Sequence, residues 1–403
     1  MRVILKPGRD WAVRNGHPWV YSGAVAAVQG EGGPGAVAEV ASAEGRLLGR
    51  GTWNPHTSIA VRMLTRGAEP VDAALVRRRL ESALRLRALV RDADAARLVH
   101  GEGDALPGLV VDRYADFLVC QFLTAGAEAM KPLVVDLVTE LLAPRGVFER
   151  SEGSVRTAEG LARSTGVLAG EDPPPDLVIA EGGRRYLVDI RGGQKTGFFL
   201  DQRANRDLVE TLAAGRRVLN LFAYTGAFAI AAARGGAAHV VSVDSSASAL
   251  VTAEAAWRMN GLPAERGAFT RADVFAYLRA DVAPADLVIL DPPPFARRRA
   301  DRERALAGYK EINLRALRAC APEALLMTFS CSQHVESEAF TAAVAAAAAD
   351  AGRDCQLLAR LGPGLDHPQA LTHPEGRYLK GLLLRLAGRD AALLPIERPP
   401  SPR

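Results

Sequence analysis

The stretch VLNLFAYTGAFA, Val218 to Ala229, decides the fold. Its first five residues are mostly apolar and too few for a helix, so they predict a buried strand. AYTG interrupts the run, and AFAIAAARGG continues at a helical rhythm until Gly235 and Gly236 stop it. A strand that turns at once into a helix opens a β-α-β unit. The alternation then repeats. HVVSVD (His239 to Asp244) predicts a strand, SASALVTAEAAWRMNG a helix, and DLVILDPPPF (Asp286 to Phe295) a third strand closed by prolines. A helix from about Gly308 precedes ALLMTFSCS, and KGLLLRL (Lys380 to Leu386) is expected as a late edge strand. Strands alternating with helices predict an α/β fold with a doubly wound, mostly parallel sheet. Ligands of such sheets bind beyond the carboxyl ends of the strands, where YTG, Asp244, DPP and Cys331 all fall.

Upstream the pattern differs. To about residue 68, short period-two runs broken by glycine and Asn-Pro predict a small β-barrel. VDAALVRRRLESALRLRALV has apolar residues at helical spacing, and LPGLVVDRYADFLVCQFL reads as two strands around a turn. With a second helix near 127–142, this makes an α+β region ending near Gly170, where EDPPPD forms a stiff linker. Cys120 falls within a strand and Cys320 within a helix, and both read as core.

The 403 residues suffice for two or three domains, and 48% hydrophobic with 24% charged residues suits a globular chain. No leader peptide is recognisable in MRVILKPGRDWAV, and no apolar run nears the roughly 18 residues of a membrane span. A cytoplasmic protein without a membrane partner is expected. The four cysteines form no metal-binding or redox spacing, so no metal and no disulfide scaffold are expected. Net charge is +3 over residues 1–70, −4 over 71–190 and +5 over 191–403, with arginines concentrated in FARRRADRER. Arginine-rich segments suit phosphate contacts and base stacking.

AYTGAFA has one glycine, whereas a dinucleotide pyrophosphate needs the G-x-G-x-x-G approach. A cofactor without phosphates, such as S-adenosylmethionine, needs a single tight turn. Asp244 closes the next strand, where a carboxylate can accept from ribose hydroxyls, and Asp273 can accept from an adenine amine. DPPPF fixes the backbone at a strand end and presents an aromatic face to a planar base. TFSCSQHVE (Thr328 to Glu336) leaves two readings of Cys331: a small core filler at a strand end, or a nucleophile.

The pieces GHPWVYSGAV, EGDALPGLVVDRYADFLVCQF, VFERSEGSVRTAEGL, YLVDIRGGQKTGFFLDQRANR, VLNLFAYTGAFA, DPPPF and FSCS occur in one order from residue 16 to 332. In this the chain resembles the S-adenosylmethionine-dependent ribosomal RNA large-subunit methyltransferase I family, which makes 5-methylcytosine in 23S rRNA. The resemblance implies a PUA-like barrel (1–68), an RRM-like α+β domain (69–170), a Rossmann-like methyltransferase domain (171–388) and a flexible tail (389–403). It implies a cofactor pocket lined by Gln202, Arg203, Phe222, Tyr224, Thr225, Gly226, Asp244 and Asp273. It further implies Cys331 as nucleophile and Asp291 in base recognition. Pro292, Pro293, Phe295 and Arg297 are expected to contact the substrate, and a homodimer is among the expected states. Two alternatives carry different chemistry. An RNA methyltransferase acting on a guanine nitrogen would need DPPPF without FSCS, and a non-catalytic RNA-binding assembly factor would need no cofactor residues.

Overall fold

The computed structural model describes residues 1–296 and 298–387, which divide into two compact units. The first comprises residues 1–183, 188–201 and 364–376; the second comprises 184–187, 202–363 and the chain from Arg377. The expected tail at 389–403 and the substrate candidate Arg297 lie outside the described residues.

In the second unit a seven-stranded sheet lies between two layers of helices. Its elements are α1 (Arg203–Leu212), β1 (Arg217–Leu221), α2 (Ala227–Arg234), β2 (His239–Asp244), α3 (Ala247–Met259) and β3 (Gly267–Arg271). Then come α4 (Val274–Tyr277), β4 (Ala285–Leu290), α5 (Arg302–Arg318), β5 (Cys320–Ser330), α6 (Ser337–Ala351), β6 (Cys355–Leu361) and β7 (Lys380–Leu386). The strand order is β3-β2-β1-β4-β5-β7-β6, parallel from β3 to β5, with β7 antiparallel to both its neighbours.

Alternation within β4 shows why the sheet is covered twice. Val288 and Leu290 face a core shared with Tyr309 and Ile312 of α5 and Phe340 of α6. Leu287 and Ile289 face the opposite core, with Val209 of α1, Ala229 of α2 and Trp257 of α3. Each such aliphatic side chain contributes roughly 1.5–3 kcal/mol on burial. The register sets Leu221 level with Val243 and Leu290, and Leu290 level with Thr328. The residues that follow these four strand positions therefore emerge along one rim.

The doubly wound α/β class holds, and two details are corrected. β7 is not at the edge: it is inserted between β5 and β6, and all of its residues except Arg385 are buried. A near-continuous apolar run is what a strand covered on both faces requires. The true edges are β3 and β6, whose partly exposed, polar-interrupted sequences carry no strong strand pattern. Cys320 does not lie in a helix; α5 ends at Arg318, and Cys320 opens β5.

The first unit holds a six-stranded sheet at its amino end, in the order Trp19–Tyr21, Ile59–Met63, Leu47–Trp53, Val37–Ala41, Arg2–Leu5, Val25–Gln29. A five-stranded sheet follows, with Phe117–Phe122 at its centre, covered by the helices Ala73–Arg87 and Lys131–Leu142. Glu159 joins the two. Its buried carboxylate accepts from Arg62 Nη2 (2.8 Å), Asn54 Nδ2 (2.8 Å) and the Ala125 N–H (3.2 Å). Residues 188–201 and 364–376, which sequence order alone assigns to the later domain, fold into this unit. Thr196 Oγ1 donates to Asp112 (2.6 Å) and meets Tyr114 Oη (2.8 Å), while Glu375 accepts from Tyr21 (3.1 Å).

Candidate active site

The turn after β1 is strained. Phe222 and Tyr224 have φ of +58° and +48°, a region that costs a non-glycine residue about 1–2 kcal/mol. Gly226 has φ of +75°, and a Cβ there would come within 2.8 Å of Ala253 on α3. Glycine is required at this point by both conformation and space. The turn is held by Asp244 at the end of β2, whose Oδ2 accepts from the Tyr224 N–H at 2.8 Å and whose Oδ1 accepts from the Ser246 N–H at 2.8 Å. Each carboxylate oxygen thus uses one acceptor site on backbone and keeps capacity toward the cleft. Phe222, Tyr224, Thr225 and Asp244 are all partly exposed there.

At the end of β4, Asp291 Oδ2 accepts from Gln202 Nε2 at 2.9 Å. Gln202 is itself fixed by Asn205, whose Nδ2 donates to Gln202 Oε1 (2.6 Å) and to Gly362 O (3.1 Å). Gln202 and Arg203 are buried at the start of α1. Beyond Asp291, Pro292 is buried and Pro293 exposed. The Phe295 ring packs 4.6 Å from Tyr309 and 6.1 Å from Phe275, so part of its surface is already engaged.

Cys331 follows the last residue of β5 and is partly exposed, while Ser330 and Ser332 beside it are fully buried. Its Sγ lies 3.9 Å from Pro292 O, beside the Asp291 turn. Ser332 ties the two loops together: its Oγ accepts from the Ala296 N–H (3.2 Å) and meets Tyr309 Oη at 2.8 Å. Burial raises the Tyr309 hydroxyl above its ordinary value, so it serves as a neutral bolt. From the other side, Lys380 Nζ donates to Ser332 O (2.6 Å) and Val335 O (2.5 Å). Burial lowers the Lys380 ammonium to about 8, and the neighbouring Cys331 sulfur pulls it back upward.

The structure therefore brings Gln202, Phe222, Tyr224, Thr225, Gly226, Asp244, Asp291, Pro292 and Cys331 to the rim of one sheet. Asp273 follows β3, whose Arg271 pairs with Asp244, and so stands on the same rim; its Oδ1 caps α4, accepting from the Ala276 N–H at 2.8 Å. Asn205, Tyr309, Ser332 and Lys380 were absent from the expectation. Two signals existed: the serines flanking Cys331, and the single lysine opening an apolar strand. A cation, Lys380, is fixed to this loop. Among the described residues no helix is long and apolar enough to cross a membrane, and no group of side chains could hold a metal ion.

The rim fits S-adenosylmethionine. The pinched turn exposes backbone without a phosphate cradle, and the Asp244 oxygens retain acceptor capacity. Comparison with known proteins agrees. Residues 96–329 match the model of S-adenosylmethionine-dependent methyltransferases, and residues 3–66 match that of PUA-like domains. A ribosomal RNA large subunit methyltransferase I from Erwinia tasmaniensis is 41% identical over 393 residues, covering 96% of this chain and 99% of that protein. That of Aeromonas salmonicida is 43% identical over 390 residues, covering 95% and 98%. The crystal structure of SMU.776 complexed with SAH aligns with a TM-score of 0.84 at 21% identity, over 96% of this chain and 100% of that one, which shows a shared fold. The chain belongs to the ribosomal RNA large subunit methyltransferase I family and takes S-adenosylmethionine as its cofactor.

Proposed function

We propose that this protein methylates carbon 5 of a cytosine in large-subunit ribosomal RNA, with Cys331 as a transient covalent nucleophile. The observation that carries the reading is the setting of Cys331: a partly exposed thiol between two buried serines, 3.9 Å from the carbonyl that follows Asp291. A guanine-nitrogen methyltransferase has no use for a thiol there. RNA as the substrate rests on the relatives' names and on the amino-terminal PUA-like region.

The bound cofactor supplies a methyl group on an electrophilic sulfonium sulfur. Carbon 5 of cytosine is too weak a nucleophile to take it unaided. The Cys331 thiolate adds to carbon 6, forming an S–C bond and placing the displaced electron pair on the ring, so that carbon 5 becomes enamine-like. Asp291, held by Gln202, would bind the N3 and N4 edge, its carboxyl group giving a proton to N3 as the displaced electron pair arrives there and taking it back on elimination. After carbon 5 is methylated, loss of its proton to a base re-forms the double bond and expels Sγ. Asp244 and the turn after β1 hold the cofactor, and Ser332, Tyr309 and Lys380 fix the thiol loop beside the Pro292 turn.

RNA carrying 5-fluorocytosine at the target tests the reading, because fluorine blocks the elimination that frees the enzyme. A stable protein–RNA adduct should form, and digestion should place the link on Cys331. Methyl transfer to a guanine without any adduct would overturn the assignment.

A further inference from the structure

We infer that Lys380 is a positioning residue for the thiolate of Cys331, supplying from the neighbouring strand the positive charge that favours the ionised sulfur. This rests on the reading of Cys331 as nucleophile. The antiparallel pairing of β7 with β5 sets Lys380 opposite Ser330, one residue before Cys331. Its side chain turns along the thiol loop, donating to the carbonyls of Ser332 and Val335 at 2.6 and 2.5 Å. Lysine is rarely buried without an anionic partner, yet Lys380 is only 8% exposed and both of these acceptors are neutral. An ammonium has three donors, so one remains beyond the two carbonyls. The charge that offsets its burial is that of Cys331, which draws the lysine up while desolvation draws it down to about 8.

Among the described residues, the phenol and the carboxyl groups around the thiol do not supply this charge. Tyr309 reaches the loop from α5 through Ser332 and is held neutral by burial. Asp291, at the end of β4, carries a carboxyl group and has no positive charge to give. His334 and Glu336 sit on the loop itself, and Glu336 is exposed. An ordinary thiol with a pKa of about 8.5 is ionised only to a few per cent at neutral pH. On ionisation the Cys331 S–H proton passes to solvent and Lys380 keeps its own, so no bond to Lys380 forms or breaks.

The test compares full-length wild type with Lys380→Gln, which keeps an amide donor for the carbonyls but loses the charge. Iodoacetamide labelling at pH 7, read at the Cys331 peptide by mass spectrometry, should run faster in the wild type than for free N-acetylcysteine. Lys380→Gln should slow it by about tenfold, the equivalent of one pKa unit, with cofactor affinity unchanged. Methyl transfer by Lys380→Gln should recover toward wild type as pH rises to about 9.5, where a thiol ionises unaided. Unchanged labelling in Lys380→Gln overturns the inference, as does a methyl-transfer defect that high pH fails to restore. Wild-type labelling no faster than that of the free thiol overturns it even if the variant does not fold. Full turnover by Cys331→Ala would instead remove the nucleophile reading beneath it.

Discussion

One strand ends in two very different cysteines. At the amino end of β5, Cys320 is 1% exposed, its Sγ donating to Ala316 O at 3.3 Å, and burial pushes its thiol up to about 12. Just past the carboxyl end, Cys331 is partly exposed and stands between a carboxylate turn and a buried lysine. The residue type is the same and the strand is the same. What differs is which end of a parallel sheet each thiol occupies. At the amino end of β5, Cys320 is packed into the core shared with α5 and α6, whereas the carboxyl end opens onto the rim where β1, β2 and β4 also stop. A cysteine's chemistry here is a property of sheet direction before it is a property of its neighbours.

The sharpest way to break that contrast is Cys331→Ala. Methyl transfer should fall by more than about 10³-fold, the scale seen when a covalent nucleophile is removed. Cofactor affinity by calorimetry should hold, and a variant that retained turnover would make the two thiols equivalent fillers. Asp291→Asn comes next: losing the carboxyl group that gives a proton to N3 should lower kcat by about 10²-fold, the lower end for a general acid. If only KM moves, Asp291 binds the base without stabilising the reaction. Asp244→Ala should weaken cofactor binding by about 10–100-fold, since hydrogen bonds to a charged group are worth about 1.5–3 kcal/mol. That variant separates the cofactor half of the rim from the thiol half, so Cys331 labelling in it should stay near wild type.

The smallest effect concerns the buried thiol. Cys320→Ala should cost on the order of 1 kcal/mol of stability by leaving a small cavity, with methyl transfer unchanged. Its pH dependence has a definite sign. The Cys320 pKa is raised in the folded state, so above the ordinary thiol value the unfolded chain has released a proton that the folded chain still holds. Wild-type stability should therefore decline as pH rises from about 9 toward 12, and Cys320→Ala should flatten that decline in urea melts. Iodoacetamide should leave Cys320 unlabelled at pH 8 while Cys331 reacts. Equal labelling of both would dissolve the comparison.

The strands that position Cys331 were legible because they are covered on both faces: VLNLF, HVVSVD, DLVIL and ALLM are short apolar runs closed by turns. The edges were not, since β3 and β6 are partly exposed and carry mixed residues that also suit loops. The cofactor side of the site was readable from the order of Gly226 and Asp244 at successive strand ends. Asp273 was readable as a carboxylate near such an end, and in the structure one of its oxygens also caps α4. Lys380 could not be read, because its meaning depends on β7 being inserted beside β5 from far along the chain. Nor does the sequence reveal Glu159 as the bolt between the amino-terminal sheet and its neighbour, because its three partners are scattered from Asn54 to Ala125.

The insertion of β7 also bears on how the protein is made. β5 and β6 do not pair with each other; each finds its antiparallel partner in a strand that leaves the ribosome after both. Until residues 380–386 emerge, β5 has an open edge and the thiol loop lacks its lysine strut. A nascent or prematurely terminated chain would expose that apolar edge to proteases and chaperones before it could present an activated sulfur to RNA. Reactivity is thereby delayed until residues 380–386 have been made.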